Sequence, residues 1–393
     1  FKSRRVAWFA ALLYLVSPFA LMYDRMALYD SMVTMFSVWN LYVAILLVRR
    51  LRLDIALIFG MTLAGGMLNK TSGFLSLYLV PGTLLLFDWS RKNRWGRLAR
   101  WVGLVAVAVI VSQMLYSILR LSPLFHMVSQ KDTVFVFTLS DWLKEPFRYL
   151  EGNLRGQFDW VRTYMTLPLF AIAMLAIIYP SRVWREKLFL AGWWLAPFVA
   201  LANFGRVLYP RFVFFMTMPL LLLVAWSLSS MTGRIKNKLA AFVIVVLLLT
   251  PSLVADYHIL TNPTKAAIPQ SDKAQYIEDW PSGWGIPEVN AYLDEEIKKG
   301  PVTVYTDGTF GLLPYAIEIY QVTKPGMTIK GIWPLPEEMP EEMAAAAAAH
   351  PTYFVLNQQQ TAPASWPLTL IFEKEKGSGT GNKLRFYRVT PSL

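Results

Sequence analysis

The sequence predicts a polytopic α-helical membrane protein that ends in a small α/β domain. Hydrophobic residues make up 55% of the 393-residue chain and charged residues 16%, whereas soluble domains average about 25% charged residues. Up to residue 256, long apolar runs alternate with short basic loops. Beyond residue 256, shorter segments alternate between helix-like and strand-like patterns, which is typical of an α/β domain.

The apolar runs predict about nine transmembrane helices. A helix that crosses a bilayer needs about 20 predominantly apolar residues, with a working range of about 17–25. Two of the runs, 54–68 and 72–87, are short for this purpose and could form a tilted hairpin. The predicted spans lie near residues 6–22, 31–48, 54–68, 72–87, 101–119, 164–179, 188–203, 212–230 and 239–256.

The distribution of charge predicts the orientation of the chain. Residues 1–256 carry 27 Lys/Arg and 11 Asp/Glu, a net +16, whereas residues 257–393 carry 11 and 15, a net −4. The basic excess falls in alternate loops, which the positive-inside rule assigns to the cytoplasm. We therefore expect a multi-pass protein of the cell (inner) membrane, with its C-terminal domain extracytoplasmic. The overall charge of +12 then needs no nucleic-acid partner.

The longest predicted outer loop, 120–163, contains one further pattern. Apolar and charged residues alternate over 141–150 in a way that favours a helix lying at the membrane interface. A packed extracytoplasmic loop explains the same residues equally well, so both alternatives stay open at this stage.

The C-terminal region divides into a linker and a folded domain. Prolines and glycines punctuate residues 257–288, which predicts a linker. Residues 289–393 predict the α/β domain, with a C-cap glycine at Gly300. Its predicted helices are 289–299, 311–320 and 337–350, and its predicted strands are 301–306, 327–332, 353–356 and a terminal hairpin of 368–373 and 383–389.

Six charged residues interrupt the apolar pattern on the predicted outer face. A charge at membrane depth costs about 2.5–3.5 kcal/mol on insertion scales, so such residues indicate a functional site. Loops at that depth must be buried in protein or line a cavity. The six residues come from three loops and are Asp24, Arg25, Asp30, Lys70, Arg206 and Arg211.

A cavity with carboxylates and several cations suits an anionic, lipid-linked substrate. Arginine binds phosphate through its forked guanidinium and lysine as a point charge, and a carboxylate can take a proton from a hydroxyl. Structural explanations compete with this one: Arg25 and Asp30 could form an ion pair at a helix end. Lys70 could snorkel to the headgroups, and Arg206 and Arg211 could anchor the start of a helix.

The composition also limits the available chemistry. Cysteine is absent, and the three histidines are scattered along the chain. Disulfides, thiolate nucleophiles and thiolate metal sites are therefore excluded. No cofactor is assigned; a divalent cation could bind near Asp30, although no set of metal ligands is visible there.

Three segments resemble motifs of GT-C glycosyltransferases, the group that includes protein O-mannosyltransferases and the aminoarabinose transferases of lipid A. Residues 17–31 (SPFALMYDRMALYDS) resemble the "SP…YSR-x-A-L-x-D" segment, and residues 65–73 (GGMLNKTSG) resemble "G-L-x-x-L-T-K-x-x-G". Tyr209-Pro210-Arg211-Phe212 with Met218-Pro219 resembles "R-Y-x-x-P". The motifs occur in the family's order over most of residues 1–230, with Asn69 where the family usually has threonine.

The resemblance implies a transferase that uses a polyprenyl-phosphate sugar and a lipid, glycan or protein acceptor. Lys70 and Arg211 would hold the lipid phosphate, with Arg206 and Tyr209 assigned to the same subsite. Asp30 matches a second acid of the family pattern and Arg25 its nearby arginine, so both are candidate catalytic residues. The main base would lie in the first outer loop, which is expected upstream of Phe1 in an N-terminally truncated chain.

Two other functions remain open on the sequence alone. A transporter or flippase for an anionic lipid would also need cations at the membrane, but many transporters contain internal repeats and none is evident here. A non-catalytic relative could act as a scaffold whose soluble tail binds a partner.

Overall fold

The computed structural model describes residues 3–391. Phe1, Lys2, Ser392 and Leu393, and the side chains of Ser129 and Asp132, lie outside this description. The chain divides into two compact units between Pro269 and Gln270, a boundary inside the stretch 257–288 that was predicted as a linker. That stretch also contains the end of a long helix and several short helical turns.

The first unit is almost entirely helical. Short 3₁₀ segments at Thr71–Phe74, Val80–Leu86, Ser117–Leu121, Pro210–Val213 and Pro263–Lys265 connect or extend its α-helices. The α-helices are α1 (Arg4–Leu15), α2 (Pro18–Tyr23), α3 (Asp30–Arg50), α4 (Leu53–Asn69), α5 (Leu75–Tyr78), α6 (Arg94–Tyr116), α7 (His126–Phe135), α8 (Leu139–Lys144), α9 (Leu150–Met165), α10 (Leu167–Ile178), α11 (Trp184–Phe204), α12 (Phe214–Arg234) and α13 (Lys238–Thr261).

Within the described residues, five helical segments are long and apolar enough to cross a membrane. The bent pair α9 and α10, with an angle of 112° between them, would add a sixth if it forms one span. The predicted helical architecture, with apolar helices of membrane-spanning length, is therefore confirmed, whereas the count of nine stays a prediction. The five segments are Asp30–Arg50, Arg94–Leu121, Trp184–Phe204, Pro210–Arg234 and Lys238–Thr261.

Local chemistry explains why the other predicted spans are short or broken. Pro18 begins the new helix α2, because proline lacks an N–H group and suits the first helical turn. Pro81 and Gly82 fall in a 3₁₀ segment of the run 72–87. Thr166 has φ of +62° at the bend before α10, which leaves that helix only 12 residues.

The region 120–163 contains part of helix α9, which the sequence did not indicate. Helix α8 ends at Lys144, so the predicted interfacial helix over 141–150 forms only in part. Helix α9 follows and is tied to the C-terminal end of α11. The side-chain amide of Asn153 donates hydrogen bonds to the carbonyls of Ala202 at 3.1 Å and Gly205 at 2.7 Å, which satisfies carbonyls that a helix end leaves unpaired.

An aromatic cluster joins three helices at the core of this unit. The ring of Phe19 on α2 stacks on Tyr164 of α9 with centroids 4.2 Å apart, and Phe214 of α12 lies 4.9 Å from Phe19. Buried aromatic pairs stabilise by about 0.5–1.5 kcal/mol beyond the area that they bury. The cluster therefore fixes α2, and with it the turn that leads from Tyr23 to α3.

The second unit contains a five-stranded mixed sheet. Its strand order is β2-β1-β3-β5-β4, in which β1 pairs parallel to β2 and β3, and β5 pairs antiparallel to β3 and β4. The predicted small C-terminal sheet domain is confirmed. The strands are β1 (Val302–Asp307), β2 (Met327–Ile332), β3 (Thr352–Leu356), β4 (Leu368–Glu375) and β5 (Lys383–Val389), and the helices are α14 (Gln270–Lys273), α15 (Ile286–Glu296), α16 (Tyr315–Gln321) and α17 (Glu341–Ala349).

Helices cover both faces of this sheet. Leu293 of α15 and Ile317 of α16 pack in one apolar core, and Met343 of α17 packs in the other. The connections from β1 to β2 and from β2 to β3 run in opposite directions across the sheet. Since such crossovers are right-handed, α16 and α17 lie on opposite faces.

A buried carboxylate joins the ends of β1 and β3. Asp307 is 1% exposed and accepts backbone hydrogen bonds from Asn357, Gln358 and Gln359 at 2.7–2.8 Å. Burial raises its pKa to about 7, although the three N–H groups and Lys376 act in the opposite direction. Burial likewise lowers the pKa of the Lys376 ammonium to about 8.

We predict that Asp307→Asn destabilises the second unit by about 1–3 kcal/mol, because the substitution leaves backbone donors without an acceptor. The cost should be larger at pH 5 than at pH 8. A folded-state pKa above the unfolded value of about 3.9 means that the contribution of Asp307 is greatest below that value and falls as the pH rises to about 7. Hydrogen exchange of β1 and β3 in the full chain, corrected for intrinsic rates, measures this; a cost that grows with pH contradicts it.

Candidate functional site

Three charged side chains meet at the start of α3. Asp30, the first residue of that helix, is 6% exposed. The Lys70 Nζ lies 2.5 Å from Asp30 Oδ1, and the Arg211 Nε lies 4.0 Å from Asp30 Oδ2. Two cations therefore face one carboxylate, and the cluster carries a net charge of +1. We call these three residues the Asp30 cluster.

The backbone around Lys70 places its side chain against Asp30. Lys70 has an extended conformation (φ −162°, ψ 147°) between the end of α4 and the 3₁₀ segment Thr71–Phe74. The chain can fold back here because Gly73 packs directly on the backbone of Gly66, where a Cβ atom at residue 73 would not fit. The Asn69 side-chain amide also donates to the Tyr29 carbonyl at 2.9 Å, which ties α4 to the start of α3.

Aromatic rings support the two cations. The Lys70 Nζ lies 4.1 Å from the centroid of Phe212, and the Arg211 Cζ lies 5.3 Å from the same centroid. The ring of Tyr209 lies 4.4 Å from the Arg211 Cζ. Such cation–π contacts contribute about 0.5–2 kcal/mol each. Both cations thus lie within cation–π distance of the same Phe212 ring, which partly offsets their repulsion.

The geometry of the cluster suits a phosphate or another oxyanion. An ammonium has three N–H donors and a guanidinium five, and both groups bind phosphate oxygens through charge-assisted hydrogen bonds. A phosphate presents several acceptor oxygens and would add the negative charge that the cluster lacks. A metal ion fits poorly at Asp30, because both of its carboxylate oxygens face cations. Among the described residues, no group of three or more His, Cys, Asp or Glu side chains could hold a metal.

The other charged residues predicted for this site lie apart from the cluster. Asp24 accepts a hydrogen bond from the Tyr14 hydroxyl at 2.7 Å, and Arg25 is exposed. An ion pair between Arg25 and Asp30 is not formed, since Asp30 contacts Lys70 and Arg211 instead. The structural explanation for that pair is therefore wrong.

Arg206 also has different neighbours. Its guanidinium donates to the Thr133 carbonyl at 3.4 Å and its backbone N–H to the Phe135 carbonyl at 2.8 Å. It lines a separate cavity of about 320 Å³ together with Asp141, Lys144, Glu145 and Arg148. The structure thus places Tyr209 beside Arg211 of the Asp30 cluster and leaves Arg206 at a separate cavity.

Sequence reasoning missed the residues that shape the site without carrying charge. Phe212 lies beneath both cations, and Gly73 permits the turn at Lys70 because it packs on the backbone of Gly66. A signal existed in each case: Phe212 follows Arg211 directly, and the two glycines flank Lys70 within one motif. Neither signal specifies a contact unless the packing of α3, α4 and α12 is known.

No protein-family model, curated protein or solved structure matches this chain.

We predict that Gly73→Ala displaces Lys70 from Asp30. The new Cβ atom would lie less than 3.0 Å from backbone atoms of Gly66 and Met67, so the turn must open. The Lys70 amine should then be acylated severalfold faster by an amine-reactive reagent, as measured by peptide mass spectrometry of the folded chain.

Gly66→Ala is the matched control, because a Cβ atom at residue 66 meets its nearest neighbours at 3.4 Å or more. Its Lys70 should react at the wild-type rate. Unchanged acylation in Gly73→Ala would show that the glycine contact does not position Lys70.

Proposed function

We propose that this chain is a membrane glycosyltransferase that moves a sugar from a polyprenyl-phosphate donor to an acceptor hydroxyl. The observation that carries this proposal is the convergence of Asp30, Lys70 and Arg211. They come from three segments, each of which resembles a different motif of one transferase family. Separate motifs that meet at one point support a shared function more strongly than any one of them does.

The proposal includes nine transmembrane helices in the cell (inner) membrane, with the Asp30 cluster and the C-terminal domain on the extracytoplasmic side. The positions of the basic residues support this orientation. Asp30 begins α3 and Arg49 and Arg50 end it, so 21 residues, or about 30 Å, separate them. Arg211 and Arg234 lie at opposite ends of another span in the same way.

In the proposed reaction, the oxygen of the acceptor hydroxyl attacks the anomeric carbon of the donor sugar while its proton passes to a carboxylate base. The bond from that carbon to the phosphate oxygen breaks, and its electron pair leaves with the lipid phosphate. Attack from the opposite side inverts the anomeric configuration. Lys70 and Arg211 would stabilise the charge that grows on the departing phosphate, the kind of electrostatic contribution that commonly dominates catalysis.

Asp30 has a supporting part in this mechanism. Its two carboxylate oxygens already face Lys70 and Arg211, so Asp30 is poorly placed to act alone as the base. It would hold Lys70 and Arg211 in place before the donor binds, and orient the acceptor hydroxyl or assist the base afterwards. The resemblance also gives Arg25 a part in the reaction, although its side chain is exposed and Asp30 contacts Lys70 and Arg211 instead.

We predict that Lys70→Ala and Arg211→Ala each weaken binding of a short-chain polyprenyl monophosphate at least tenfold, because each removes a charge-assisted contact. Binding is measured with the full chain in lipid nanodiscs. Arg206→Ala is the control of equal charge change, since Arg206 lies in the separate cavity. Equal losses in all three variants would indicate a general effect of surface charge and would contradict a specific site.

Measuring both donor-phosphate binding and sugar transfer for an Asp30 variant separates the two roles of the site. Asp30→Asn removes an anion that competes for the two cations, so the variant should bind polyprenyl monophosphate at least as tightly as the wild type while sugar transfer is lost. Wild-type transfer by both Asp30→Asn and Lys70→Ala would disprove the assignment. Movement of the lipid across the liposome membrane without sugar transfer would favour a transporter instead.

A further inference from the structure

The second unit has a surface to which no function has been assigned, at the carboxyl ends of β1, β2 and β3. These strands are parallel, and the connections from β1 to β2 and from β2 to β3 leave in opposite directions. The order of the strands along the sheet reverses between β1 and β3. In open α/β sheets, ligands bind outside the carboxyl ends of the strands at such a reversal. We call this surface the carboxyl edge.

The loops of the carboxyl edge form one continuous surface. The Gly308 N–H donates to the Ile332 carbonyl at 2.9 Å, which joins the loop after β1 to the end of β2. The Gln358 Oε1 lies 3.5 Å from the position that a Cβ atom on Gly308 would take. The loop after β3 therefore packs on the same glycine from the other side.

Large aromatic side chains are exposed along this edge. Phe310 is 71% exposed, Trp333 46% and Tyr315 48%. The Tyr315 hydroxyl donates to the Thr309 carbonyl at 3.5 Å, so its ring stays beside the loop that carries Phe310. Exposed apolar side chains on neighbouring loops of one edge can mark an interaction site.

The polar side chains of the loops after β1 and β3 are uncharged at their exposed positions. Thr309 and Gln360 are exposed, and Gln358 and Gln359 are half-buried. The acid at the centre of the edge, Asp307, faces inward and accepts the N–H groups of residues 357–359. A concavity of N–H groups that could bind an external anion is therefore already filled by the protein itself.

We propose that the carboxyl edge is a binding site for a neutral saccharide. Hydroxyl groups both donate and accept hydrogen bonds, as do the amides of glutamine. The C–H bonds on one face of a pyranose ring form a weakly positive apolar surface, which complements the negative face of an aromatic ring. Phe310 and Trp333 supply such rings, and Gln358 and Gln359 supply amides, whereas the Gln360 amide is already bonded to the backbone of Asn357 and Lys383.

This site lies within the second unit and does not depend on the proposed transferase reaction. The two proposals can therefore fail separately. Loss of the saccharide site leaves the phosphate contacts of the Asp30 cluster intact, and loss of those contacts leaves the saccharide site intact. Each is measured with a different probe.

The test uses the full chain in lipid nanodiscs, because maltoside detergents would themselves present sugar. Maltohexaose, cellohexaose and chitohexaose are added in turn, and hydrogen exchange of residues 308–315 and 357–360 is followed. At least one should slow exchange there in a saturable way. Trp333→Ala and Phe310→Ala should each weaken that binding at least tenfold.

Val322→Ala is the control, because Val322 is as exposed as Phe310 but follows the end of α16. It should bind like the wild type, and β1 and β3 should keep their protection in every variant. The proposal is overturned if none of the three saccharides protects the edge, if the aromatic variants bind normally, or if an uncharged peptide protects these residues instead.

Discussion

The burial of the Asp30 carboxylate governs the arrangement of the first unit. An ionised carboxylate taken out of water is costly unless cations and hydrogen bonds compensate it, and removal of one partner from such a pair costs about 3–5 kcal/mol. Lys70 and Arg211 supply that compensation from the end of α4 and the start of α12. Three helices are thus held at fixed positions, and the cluster keeps an excess positive charge.

The second unit compensates a buried carboxylate in a different way. Asp307 accepts three backbone N–H groups, whereas the Lys376 ammonium donates to the carbonyls of Asp279, Trp280 and Ser282. These hydrogen bonds are made to backbone groups of the protein itself and leave little room for a ligand. They stabilise the loops that contain residues 279–282 and 357–359. At the Asp30 cluster the compensating groups are the cationic side chains of Lys70 and Arg211, to which a second anion could also bind. The two buried carboxylates therefore differ in their surroundings: backbone N–H groups contact Asp307, and cationic side chains contact Asp30.

Much of this organisation could be predicted from residue patterns. The change in character after residue 256 indicated two units, and each predicted strand of the sheet has a counterpart, with Met327–Ile332 matching throughout. The charged residues of the first unit pointed to Asp30, Lys70 and Arg211. The pairing itself could not be predicted, because Arg25 is closer to Asp30 in sequence than either true partner. The glycine contact at Gly73 and the bend at Thr166 depend on backbone conformations that composition does not reveal.

A cryo-electron microscopy structure of the full chain in nanodiscs with a short-chain polyprenyl phosphate tests the central claim most directly. We expect phosphate density within hydrogen-bonding distance of the Lys70 ammonium and the Arg211 guanidinium, with the Lys70 contact to Asp30 lengthened. Phosphate bound elsewhere, with Lys70 still paired to Asp30, would contradict it.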